Sequence, residues 1–139
     1  RPATPPVYDR MRLVPRKRGD DLEFVAFESC KVVPSSIEKS DWSSSWTGPD
    51  GIFDGLHQAL GFRTNSYQST DQKVANYFGK RIEAGDDVWA AWFDAINRKA
   101  LSYEYGSAVM HPTCDGDSYY SFAADPSASH TSLRLYYQY

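Results

Sequence analysis

Leu22-Glu23-Phe24-Val25-Ala26-Phe27, running on into Glu28-Ser29-Cys30, is the stretch from which the fold is read. Its apolar run is short and bounded by polar residues. That is the pattern of a strand buried on both faces, as in a parallel sheet. Cys30 then falls at the carboxyl end of the strand, where open α/β sheets hold their ligands. Further along, Phe53, Leu56, His57 and Leu60 stand at i, i+3, i+4 and i+7. This spacing predicts a helix that starts near Asp50, behind Pro49, and ends at Gly61. Phe62–Tyr67 reads as a short strand. Ser69 and Gln72 offer a capping box for a second helix, with Val74, Tyr77, Phe78 and Ile82 on one face and Gly85 as its stop. A third helix opens on Asp86-Asp87 and closes on Arg98-Lys99, charges that suit the helix dipole at both ends. Trp89, Trp92, Phe93 and Ile96 form its apolar stripe. Tyr103–Met110 has the aromatic and β-branched content of a strand. Strands connected through helices predict an α/β fold with a mainly parallel sheet flanked by helices.

The chain has 139 residues, a length that suits one domain around one core. Residues 1–20, rich in Pro, Arg and Asp, read as an extended arm or linker. Residues 21–114 read as the α/β core, and 115–139 as a C-terminal extension in which Leu133–Tyr137 is a candidate added strand. The net charge is −3, and the basic run Arg16-Lys17-Arg18 is followed at once by Asp20-Asp21, so no nucleic-acid partner is expected. No apolar stretch approaches the ~20 residues a membrane helix needs. The sequence opens Arg1-Pro2-Ala3-Thr4-Pro5-Pro6, with no initiator Met and no secretory apolar region. A processed terminus or an excised domain is the expectation, and an extracellular, secreted location goes with it.

Cys30 is the first candidate for chemistry. A thiol at a strand's carboxyl end beside Lys31 is placed as a nucleophile would be. The plainer reading is a structural thiol, or half of a Cys30–Cys114 disulfide in an oxidising compartment. His57 reads either as a core histidine with satisfied ring nitrogens or as the base serving Cys30. His111 is a weaker candidate for the same role, and His130 sits in a Ser-rich tail. Trp42 and Trp46 flank a serine run in a long loop. Together with Asp41 and Asp50 they are candidates for substrate contact, or else the two indoles fold back over the core. There is no paired-His or Cys-x-x-Cys spacing and no glycine-rich phosphate loop, and Asp115-Gly116-Asp117 reads as a turn, so no metal and no cofactor are expected.

The order of these motifs resembles a known clan. Glu23–Cys30 resembles the strand ending in Ser-Cys or Ala-Cys of the caspase-like cysteine peptidases, which include caspases, gingipains, legumains, separases and the bacterial CHAT-type proteins. Phe53–Phe62, with its Gly-Leu-His and Leu-Gly-Phe, and Val88–Ala95, with its Ala-Trp, are similar to an uncharacterised bacterial family related to that clan. The resemblance spans roughly residues 22–110 and rests on the order of short motifs. It implies the carboxyl-terminal part of a caspase-like sandwich, with Cys30 as nucleophile and a peptide or protein as substrate. In the clan the partner histidine lies upstream, in a His-Gly segment, and residues 1–29 contain no histidine. The resemblance therefore implies either a base from sequence further upstream, which could remain bound as a second chain of the same precursor, or a missing dyad. The competing expectation is a non-catalytic secreted binding or structural protein on the same scaffold, tied by a Cys30–Cys114 disulfide.

Overall fold

The computed structural model describes residues 22–47, 51–53, 55–126 and 132–139. In them four strands form one sheet in the order β1 (Phe24–Ala26), β2 (Gln58–Phe62), β3 (Gly106–Met110), β4 (Arg134–Tyr137). Two helices, α1 (Gln68–Glu83) and α2 (Val88–Lys99), connect β2 to β3. The fold is mixed α/β.

Among the described residues of the helix expected from Asp50 to Gly61, none is helical. Gln58–Phe62 is a strand instead, and of the strand expected at Phe62–Tyr67 only Phe62 belongs to it, residues 63–67 forming a loop. All five residues of β2 are buried. A run covered on both faces has no polar side to reveal its period, so it imitates a buried helical stripe. The sheet is also not mainly parallel. Only β1 and β2 run parallel, Val25 facing Ala59, while β2–β3 and β3–β4 are antiparallel. The cause lies in the connection. α1 carries the chain back along the sheet and α2 returns it, so β3 begins at the end where β2 finished and must run against it.

Alternation along each strand sorts the core into two layers. Phe24, Leu60, Phe62 and Met110 face the helices, where Val74, Phe78, Trp92 and Ile96 meet them. Val25, Phe27, Ala59 and Val109 face the other way, against Val33, Trp46 and Leu56 of the long β1–β2 connection. Trp92 locks helix to sheet, donating its indole N–H to Gly61 O at 2.9 Å and packing edge-on against Phe62 and Phe78. The predicted helices 2 and 3 are present, with Val74, Phe78, Ile82, Trp92 and Ile96 buried. The Ser69–Gln72 capping box is not, because α1 begins at Gln68 with Tyr67 as its cap. The buried Glu104 takes over, accepting from Tyr67 N–H and the Thr70 hydroxyl. A carboxylate there suits the positive end of the helix dipole. Gly85, at φ +95°, ends the helix region as expected.

Candidate functional site

The residues that carry chemistry gather at opposite ends of the sheet. Cys30 lies past the carboxyl end of β1. The chain stays beside β2's extension there, with Phe27 N–H bonded to Leu60 O at 2.8 Å and Lys31 N–H to Thr64 O at 3.0 Å. The half-buried Cys30 sulfur is 3.3 Å from both the N–H and the carbonyl oxygen of Ser66, which directly precedes the N-cap of α1. Lys31 adopts φ +56°, the left-handed region that a non-glycine residue enters only when its surroundings hold it there.

His57 is at the other end. It precedes β2 and its carbonyl oxygen accepts from His111 N–H, just past the end of β3. Thr64, beside Cys30, is seven positions further along this extended run, on the order of 20 Å away. Neither His57 nor His111 can therefore serve Cys30 as a base; His57 is buried with both ring nitrogens hydrogen-bonded, and the alternative of a Cys30–His57 dyad does not form. His130 and Asp50 lie outside the described residues. Cys114 is buried beside His57 and Cys30 sits against Ser66, so the Cys30–Cys114 disulfide does not form either.

The two indoles behave differently from a shared substrate wall. Trp46 is buried under the sheet, edge-on to Phe53, whereas Trp42 is half-buried at the start of a short 3-10 turn, Trp42–Ser45. Their loop folds back over the core because Val33, Leu56 and the underside of the sheet need cover. Asp41 is exposed and accepts from the Ser44 hydroxyl at 3.2 Å.

Around His57 the structure builds a polar centre that no local motif announces. Nδ1 is 2.5 Å from Asp117 Oδ2, and Nε2 is 2.8 Å from Asp125 Oδ1 and 3.1 Å from Glu23 Oε2. Glu23, His57 and Asp117 are buried; the Asp125 side chain is 44% exposed. Asp117 Oδ1 also accepts Ala123 N–H at 2.8 Å, which ties the segment bearing Asp125 to the centre. Burial alone would push the imidazole down. Hydrogen bonds to Asp117, Cys114 and Asp125 outweigh it and push the His57 pKa up to about 11. Two sets of metal-ligand type meet on this ring: His57 with Cys114 and Asp117, and His57 with Glu23 and Asp125. Glu23, Asp117 and Asp125 stand 34, 60 and 68 positions from His57 in sequence, so the sequence offers His57, Cys114 and the turn at Asp115–Asp117 singly and not as a cluster.

The fold and these two centres define an α/β domain with a thiol at one end of its sheet and a carboxylate-ringed histidine at the other. The chain belongs to the family described as a domain of unknown function, DUF6345, whose model matches residues 17–126. No curated protein and no solved structure matches it.

Proposed function

We propose that this domain carries the nucleophile of a caspase-like cysteine hydrolase acting on a peptide or protein carbonyl, with Cys30 as the attacking thiol. The observation that carries the reading is the placement of the Cys30 sulfur. It lies half-buried past the carboxyl end of a parallel strand, where the Ser66 N–H donates to it and the Ser66 carbonyl oxygen accepts its S–H, at the threshold of a helix N-terminus. A backbone donor and a helix's positive end are the groups that hold a thiolate ready for attack. The sulfur would add to the carbonyl carbon, and nearby backbone N–H groups would take the oxyanion. A histidine from outside the described residues would act as base and then as acid, on the same chain or on an upstream chain of one precursor. A non-catalytic binding role, extracellular or otherwise, is the alternative, favoured by the distance of His57 and His111 from Cys30.

Thiol labelling tests this. At neutral pH an unperturbed thiol is only a few per cent ionised, so a held thiolate reacts with iodoacetamide up to ~30-fold faster than a simple peptide thiol. We expect fast labelling at Cys30, slow labelling at buried Cys114, and no hydrolysis by Cys30→Ala in the presence of the histidine-bearing partner. Labelling of Cys30 at the rate of a free peptide thiol, or retained hydrolysis in Cys30→Ala, overturns the proposal.

A further inference from the structure

We propose that Glu23, His57 and Asp125 form a binding site for one divalent transition-metal cation of the zinc class, with Asp117 holding the histidine ring from its far side. One imidazole nitrogen and two carboxylate oxygens are a donor set that zinc accepts, and three protein ligands leave a position for water. With ligand bonds of about 2.0–2.2 Å, the donors around such an ion stand roughly 2.9–3.5 Å from one another. The 2.8 and 3.1 Å separations from Nε2 to Asp125 and Glu23 are near that spacing, and the ion would take the place of the Nε2 proton these carboxylates now hold, releasing it to solvent. All three donor atoms lie within 4.8 Å of one another.

The ring is oriented as a ligand's would be. Metal-bound histidines donate their other N–H to a carboxylate, which fixes tautomer and direction. Asp117 Oδ2 is the hydrogen-bond partner of Nδ1 here, and its second oxygen anchors Ala123, two residues before Asp125. The exposed flank of Asp125 supplies a route for the ion and a place for its water. The competing set on the Nδ1 side, with Cys114 and Asp117, is buried on every member and has no such opening.

The test uses the whole chain, freed of metal by chelator dialysis and titrated with Zn²⁺ alone, followed by calorimetry, elemental analysis and thermal melting. We expect one zinc per chain and a raised melting temperature. Asp125→Asn, a change on a partly exposed side chain, should weaken binding at least ~10-fold, and Asp117→Asn by ~10–100-fold. Absence of stoichiometric uptake overturns the assignment, as does uptake unchanged in Asp125→Asn. Uptake kept in Asp125→Asn but abolished by Cys114→Ser also overturns it, by moving the ion to the other ring nitrogen. Because Cys30 is at the opposite end of the sheet, its labelling rate should not change on zinc removal, so this site and the thiol proposal fail or survive separately.

Discussion

Removing the His57 side chain would leave Glu23, Asp117 and Asp125 facing one another across the space the imidazole fills. Breaking a buried charge pair by deleting one member costs about 3–5 kcal/mol, because the remaining charge is stranded. His57→Ala should lose that much in urea denaturation, measured on metal-free protein. Glu38 makes a milder case. Burial would raise its pKa, yet hydrogen bonds from the Ser35 hydroxyl and N–H and from Arg63 outweigh this and hold it below the usual 4.5. A carboxyl lowered on folding contributes stability above its unfolded pKa and loses it as pH falls through the folded one. The carboxylate is about a third exposed, so the contribution is under ~1 kcal/mol. Glu38→Gln should therefore differ from the parent at pH 7 and converge with it toward pH 3, as urea midpoints across that range would show.

At the level of elements, β2 is the least forgiving. A Cβ added at Gly61 would sit 2.6 Å from Val33 Cγ2, and Val33 is fully buried with no room to yield. Gly61→Ala should cost about 1–3 kcal/mol by overpacking, read from the shift in denaturant midpoint. The same crowding explains what the sequence could and could not reveal. α1 and α2 were legible because each has one wet face, so Val74, Phe78, Ile82 and Trp92, Ile96 stand out at helical spacing. β2 has no wet face, and its Leu60, with His57 just before it, imitates a helical stripe. The cap of α1 was misread because Glu104, 34 residues beyond Thr70, does the work assigned to Ser69. The place of Cys30 past a strand's end is legible because only Phe27, Glu28 and Ser29 separate it from β1. The surroundings of His57 were not, since Glu23, Asp117 and Asp125 meet it only through the sheet's closure.

For the whole molecule, β4 closes the far edge of the sheet. Gln138 fastens it: its side chain accepts Gly106 N–H at 2.8 Å and donates to Phe93 O and Asn97, while its carbonyl oxygen accepts from Arg63 Nε at 2.6 Å. Deleting residues 132–139 would uncover β3, whose five residues are all buried. An apolar edge with open backbone groups pairs with another chain, so the shortened protein should self-associate in sedimentation velocity while the full chain is the reference. The paired helices between β2 and β3 carry a different consequence, one of parity. Two passes along the sheet return the chain to its starting end; one pass would not. Insertions or deletions in the turn at Gly85 leave the count intact, but loss of either helix would send β3 the opposite way and carry His111 and the Asp117 turn to the thiol's end. Length variants of this domain should therefore cluster in that turn, and helices here should be gained or lost only two at a time.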